Sequence, residues 1–299
     1  MSFPITGTFI DEITYDIPAS NWSDGQWKNE LDCMCETGID TLIFIRGGFG
    51  RKTIFPSSTL GTERTRDFLG FILAEAEKRD MRVFVGLYIS NIDWNKGDWK
   101  TEIEINRNFI SEIYLRYCDF KSFAGWYIPH ETSRDVLNIS EVMYGLSSLC
   151  KEMAAEKQVL ISPFFESRLL SEKNFLTPEK HYEEWDRILH KAGANIDICA
   201  FQDGTAPIDE LDDYFGAVKR LCNKYKMQLW VNTETFERDV RGLYPPISFS
   251  ELEEKISHHK KYADKIITFE FSHFMSPQSI FPSARNLYGM YVDFYGEKK

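Results

Sequence analysis

The sequence has no run of about 18 apolar residues, so no segment of it is long and apolar enough to cross a membrane as a helix. Its first residues, Met1-Ser-Phe-Pro-Ile5, carry neither the basic segment nor the apolar core of a signal peptide. A cytoplasmic location is expected if that N-terminus is native, and a periplasmic or secreted one if a leader was trimmed. Basic charge is in short supply: 35 Lys and Arg face 46 Asp and Glu, a formal net charge of −11. Phosphate neutralisation wants clustered Lys and Arg, so no nucleic-acid partner is expected. The one short basic group, His258-His-Lys-Lys261, reads as a solvated helix face. The six cysteines (Cys33, Cys35, Cys118, Cys150, Cys199 and Cys222) show no zinc spacing. A chain of 299 residues needs no disulfide staples, so they read as reduced thiols. No Gly-rich phosphate turn follows the first apolar run, which argues against a doubly wound nucleotide-binding sheet. No Gly-x-Ser-x-Gly elbow is present, which argues against a serine hydrolase. No cofactor is expected, and nothing in the sequence specifies an oligomeric state.

What is abundant is apolar strand. Runs at Ile5–Asp11, Asp40–Arg46, Arg82–Ile89, Phe123–Pro129, Gln158–Phe165, Asp197–Gln202, Gln228–Asn232 and Lys265–Phe271 read as buried strands. Successive starts lie 31 to 42 residues apart, by difference of those positions. Segments of helical period separate them: Trp22–Thr37, Arg64–Arg79, Glu102–Tyr117, Ile139–Ala155, Pro178–Ala192, Ile208–Tyr225 and Ser250–Ala263, with Ala284–Phe294 closing the chain. The first opens on a capping pattern, Ser23-Asp-Gly-Gln26. Strand then helix, eight times, is the pattern of a (β/α)₈ TIM barrel, an α/β fold of roughly 250 residues. A solenoid of similar period would repeat a residue signature, and none recurs. The expectation is one barrel domain over residues 1–299, without a linker.

Polar residues gather where the runs end. In chain order these are Asp11 and Glu12; Arg46; Tyr88 and Asn91; His130 and Glu131; Glu166; Gln202 and Asp203; Asn232, Glu234 and Glu237; Glu270 and His273. In a barrel these ends and the loops after them build the ligand-binding face. Those loops are rich in Gly and aromatics, including Trp94, Trp99, Tyr244, Phe274 and Phe281, which suit the C–H faces of sugar rings. The expected partner is a carbohydrate substrate.

Two stretches share one plan: Phe123-Ala-Gly-Trp-Tyr-Ile-Pro-His-Glu131 and Gln228-Leu-Trp-Val-Asn-Thr-Glu-Thr-Phe236. Each runs an apolar strand into a glutamate. Glycosidic cleavage needs two carboxyls across a sugar-sized gap, one giving a proton to the leaving oxygen, the other attacking the anomeric carbon or activating water. Glu131 and Glu234, from runs four and seven, are the expected catalytic pair. Alternation puts Tyr127 on the face of Glu131 and Asn232 on the face of Glu234. Arg46, Tyr88, His130, Gln202, Asp203, Asn232, Glu270 and His273 are expected to line the substrate.

Trp126-Tyr-Ile-Pro-His-Glu131 and Trp230-Val-Asn-Thr-Glu234 resemble the clan of retaining glycoside hydrolases with acid/base on strand four and nucleophile on strand seven. With Ala200-Phe-Gln-Asp-Gly204 added, nearly the whole chain resembles an uncharacterised family of bacterial barrels described as glycosidases. The resemblance implies Glu131 as acid/base and Glu234 as nucleophile. The clan usually has Asn before the strand-four glutamate, and here that place is His130. Two rivals use the same residues. A metal-dependent sugar isomerase would bind its ion through Glu131, Asp203, Glu234, Glu270 and His273, although no His-x-His spacing occurs and the one His-x-x-Glu match, His181 to Glu184, lies in a helical segment. A carbohydrate-binding barrel without turnover would show an arginine such as Arg134, Arg238 or Arg241 consuming one of the two glutamates.

Overall fold

The computed structural model describes residues 3–14, 18–62, 66–90, 98–135, 138–237 and 244–296. Each apolar run contains one strand of a closed barrel: β1 (Ile5–Ile10), β2 (Thr41–Phe44), β3 (Arg82–Gly86), β4 (Phe123–Ile128), β5 (Gln158–Ile161), β6 (Ile198–Gln202), β7 (Gln228–Glu234) and β8 (Lys265–Phe269). All neighbouring pairs are parallel, and β1 closes the ring by pairing β2 on one side and β8 on the other. Helices α1 (Asp24–Glu36), α2 (Phe68–Glu77), α3 (Trp99–Tyr117), α4 (Ile139–Met153), α5 (Pro178–Ala192), α6 (Leu211–Tyr225), α7 (Phe249–His259) and α8 (Pro282–Gly296) follow the strands in turn. The chain is an α/β TIM barrel, as its sequence pattern predicts.

Local chemistry sets the element ends. Ser23 and Gln26 form a reciprocal capping box on α1, and Thr177 caps α5 with Pro178 in its first turn. Pro129 and Pro163 have no N–H to offer the sheet, so β4 stops at Ile128 and β5 stops at Ile161, short of the expected Phe165. The third run divides: after β3, Tyr88–Ile89 leaves the barrel and pairs with Gly48–Phe49, which also pairs with Lys52–Thr53. β7 runs two residues further than expected, so Glu234 is its last residue.

The core has two layers. Large side chains between strands and helices, among them Leu31, Ile72, Ile113, Leu146, Trp185, Leu221 and Ile256, form the outer one. The lumen is filled by Phe9, Ile43, Phe84, Tyr127, Leu160, Trp230 and Ile267, as alternation along parallel strands requires. Edge-to-face pairs hold this plug across the barrel. Phe9 meets Tyr127 at 5.2 Å and 71°, and Phe84 meets Trp230 at 5.7 Å and 78°. Gly125 on β4 makes room for the Phe84 ring: a Cβ there would lie 2.7 Å from Phe84 Cε1 and would also strike the Gln158 carbonyl.

Gly125→Ala is therefore expected to cost about 1–3 kcal/mol by overpacking the lumen. Gly289→Ala on α8, where a Cβ meets nothing within 4 Å among the described residues, should hold stability or raise it by up to about 1 kcal/mol. Urea denaturation of the two variants checks the contrast.

Candidate active site

The site grows out of the lumen plug. Tyr127 is the last large ring of β4 to point inward, and Glu131 follows one turn of chain later. The Tyr127 hydroxyl donates to Glu131 Oε1 at 2.7 Å. Burial, then the charge of Glu131, pushes the Tyr127 phenol far above its ordinary value, so it stays a donor; Arg46 and the Ser162 hydroxyl act in the opposite sense. Ser162 extends the contacts around the rim. Its hydroxyl donates to the Ala200 carbonyl at 2.8 Å and accepts from Asn232 Nδ2 at 3.4 Å, while Gln202 Nε2 donates to its carbonyl at 2.8 Å. A polar chain thus runs from Glu131 through Tyr127 and Ser162 to Asn232, across four neighbouring strands. Asn232 Oδ1 is buried and has no partner among the described residues.

On β7, Trp230, Asn232 and Glu234 share the lumen face. The Glu234 carboxyl lies directly over Gly204, where any Cβ would collide with it. Glycine at 204 is thus a requirement of the site. Asp203, one residue earlier, points the other way, into the helix layer. Its Oδ1 accepts the Glu234 backbone N–H at 2.8 Å, and Lys255 of α7 donates to that oxygen at 3.2 Å and to the Glu234 carbonyl at 2.9 Å. His259 Nε2 stands 3.3 Å from Asp203 Oδ2, and its Nδ1 meets the Thr233 hydroxyl at 2.9 Å. All five groups are buried. Burial pushes the Asp203 carboxyl up while the Lys255 charge and the Glu234 N–H draw it down. Burial, then the Lys255 charge, holds the His259 imidazole well below its ordinary value, so it is neutral. The network clasps both backbone groups of Glu234 and leaves its carboxyl on the lumen side. His259 is thus part of a buried network and not of the solvated face expected for His258-His-Lys-Lys261.

The structure does not bring all the expected residues to the mouth. Asp203 acts behind β7, as described. His130 faces α3, fully buried, with Nε2 3.0 Å from Glu102 Oε1, which also accepts the Ser90 N–H at 3.0 Å. β4 has ended at Ile128, and the Glu131 N–H bonds back to the Pro129 carbonyl at 3.0 Å, a tight turn that leaves His130 against α3 while the Tyr127 hydroxyl holds Glu131. Tyr88 lies in the outer layer against Phe109, its backbone clasped by Asn106. Glu270 is 2 % exposed and sits beneath the rim near Asp11 and Glu30, with its Oε1 3.8 Å from His273 Nδ1. His273 is half-buried and stacked between Phe274 and Phe281. Arg46 donates to the Thr14 hydroxyl at 2.8 Å and stands 3.7 Å from Asp11. Arg134 is spent on Glu166 and the Asn174 carbonyl. Asn91, Trp94, Arg238 and Arg241 lie outside the described residues. Among the described residues no three His, Cys, Asp or Glu side chains gather closely enough to hold a metal ion, and Asp203 faces away from the other members of the expected ligand set. Sequence reasoning missed Ser162, Lys255 and His259. Gly204 was within reach, since it follows Asp203 in a quoted motif.

Glu270 gives a pH test of this arrangement. Burial, then the charges of Asp11 and Glu30, raises its carboxyl well above the ordinary glutamate value, and its Oε2 has no hydrogen-bond partner among the described residues. A folded pKa raised above the unfolded one favours folding fully below the unfolded pKa, and the benefit is lost as pH rises toward the folded pKa. Gln has no proton to lose. The stability gain of Glu270→Gln over the native chain is therefore expected to widen from about pH 4 towards about pH 8. Thermal melts across that range check it, and a constant difference would contradict it.

The fold matches known structures. A Bacteroides thetaiotaomicron protein described as a "putative alpha-L-fucosidase" is similar at 38 % identity and a TM-score of 0.93, covering 99 % of this chain and 94 % of that one. An endo-1,4-beta-D-mannanase from Thermotoga petrophila matches at 11 % identity and a TM-score of 0.63, covering 98 % and 100 %. The intracellular xylanase of Thermoanaerobacterium saccharolyticum matches at 13 % and 0.56, covering 90 % and 86 %. At those identities the last two speak to the fold alone. No curated protein matches the chain. The model of the DUF4434 family, a domain of unknown function, matches residues 5–281, and the chain belongs to that family.

Proposed function

We propose that the chain is a glycoside hydrolase that cleaves a glycosidic bond through Glu131 and Glu234, with retention of configuration. The observation that carries the reading is the placement of these two residues. Glu234 ends the lumen-facing row of β7, Glu131 stands just past the end of β4 on the hydroxyl of lumen-facing Tyr127, and polar contacts through Tyr127, Ser162 and Asn232 join the two along the rim. The description of the similar Bacteroides thetaiotaomicron protein as a fucosidase, and of two more distant barrels as a mannanase and a xylanase, supports a carbohydrate substrate.

In this mechanism the Glu234 carboxylate attacks the anomeric carbon as the bond to the leaving oxygen breaks, and Glu131 gives that oxygen its proton. Glu131, now ionised, takes a proton from water as the water's oxygen attacks the anomeric carbon and releases Glu234. The two roles ask different things of the protein. Glu234 must not swing, and Gly204 together with the Asp203–Lys255 grip on its backbone supplies that constraint. Glu131 must exchange protons, and it stands more exposed, with the Tyr127 hydroxyl fixing one oxygen. Arg46, Gln202, Asn232 and His273 are the remaining substrate-facing candidates. Asn232 carries an unspent buried carbonyl oxygen, suited to a sugar hydroxyl.

Glu131→Gln and Glu234→Gln are each expected to remove at least about 99 % of turnover while melting like the native chain. The assay uses aryl glycosides and short oligosaccharides of fucose, xylose and mannose. Full activity in either variant would refute the assignment.

A further inference from the structure

Beside Glu234 a cleft of about 310 Å³ opens between the loops after β5, β6 and β7 and the first turns of α7. It lies at the small end of the range for ligand sites. Gly204 joins the cleft to the candidate nucleophile, since it lines the cleft and a Cβ there would strike the Glu234 carboxyl. We propose that this cleft is a binding subsite for a further sugar residue of an oligosaccharide substrate. The proposal rests on the glycosidase reading for its substrate class, but its geometry is separate.

Three features give the cleft the chemistry of a sugar site. The first is an unspent hydroxyl: Thr205 lines the cleft, is 3 % exposed, and its Oγ1 has no hydrogen-bond partner among the described residues. A buried hydroxyl without a partner is costly, and a ligand hydroxyl in the cleft would satisfy it. The second is a pair of carboxyls that line the cleft, Glu237 after β7 and Glu251 in the first turn of α7. Burial raises the Glu251 carboxyl, the nearby Lys255 charge opposes this, and Glu237 adds to it. Paired carboxyls accept from vicinal hydroxyls. The third is an apolar side. Leu169 and Leu170 stand at the cleft 62 % and 47 % exposed, and Phe236 forms another wall, offering surface to the C–H face of a pyranose. Apolar surface together with carboxyl and hydroxyl groups matches a sugar ring, which presents both C–H faces and hydroxyls.

The test reads binding, not turnover. The full chain carrying Glu131→Gln, so that nothing is consumed, is titrated calorimetrically with the fucose, xylose and mannose oligosaccharides. At least one should bind saturably. Thr205→Val, which keeps the side-chain shape, and Glu251→Gln should each weaken that binding about fivefold or more, the loss of one hydrogen bond. Thermal melts of both variants establish that they are folded. Binding unchanged in both variants, or no binding by any of these oligosaccharides, overturns the subsite. The catalytic reading fails separately: binding lost in the variants while the native chain hydrolyses nothing would leave the subsite standing and remove the glycosidase.

Discussion

Closure between β1 and β8 is the constraint on which everything else depends. Ile5, Gly7 and Thr8 of β1 stand opposite Ile266, Ile267 and Thr268 of β8, and with that pairing the sheet has no edge. A closed parallel barrel gives every strand an inside and an outside and places all the strand ends on one rim. Phe9, Phe84, Tyr127 and Trp230 then meet in the lumen, and above Trp230 the inward positions of β7 are the polar Asn232 and Glu234. The polar rim is the upper continuation of the same alternation that builds the plug.

Inner and outer faces at the strand ends divide the acidic residues by role. Glu131 and Glu234 fall on the inner face and meet the mouth. Asp203 and His130, each one residue out of phase with an inner position, fall on the outer face and are buried among helices. There a carboxylate survives only if paired, and Asp203 has Lys255, while Glu102 has His130. These outer partners are not idle. Asp203 and Lys255 grip the two backbone groups of Glu234, so the charge behind the strand fixes the carboxyl in front of it. The composition of the outer layer therefore bears directly on the inner chemistry.

The barrel was legible because its strands are nearly free of charge and its helices carry a clear period. Glu234 with Asn232 was legible as well, because alternation within β7 needs no knowledge of its neighbours, and Glu131 still meets Tyr127 although a tight turn separates it from β4. The faces of residues just beyond a strand end were not. Tyr88 leaves the barrel altogether to pair with Gly48–Phe49, and Glu270 drops beneath the rim toward Glu30 of α1; neither departure has a local signature. Lys255 and His259 sit on a helix in a polar run, and only the tertiary packing of α7 against β7 tells a buried partner of Asp203 from a solvated base. Pro163 breaks the run expected to reach Phe165, and Gly204 stood in a motif of the sequence but was not legible as the floor under Glu234.

The central claim is that Glu234 becomes covalently bonded to the sugar during turnover. Mass-spectrometric peptide mapping after incubation with a slow-turnover 2-deoxy-2-fluoroglycosyl substrate tests it most directly. The account predicts a single glycosyl ester on the peptide containing Glu234, absent in Glu234→Gln. A glycosyl ester on any other residue, or hydrolysis with inversion and no adduct, would contradict it.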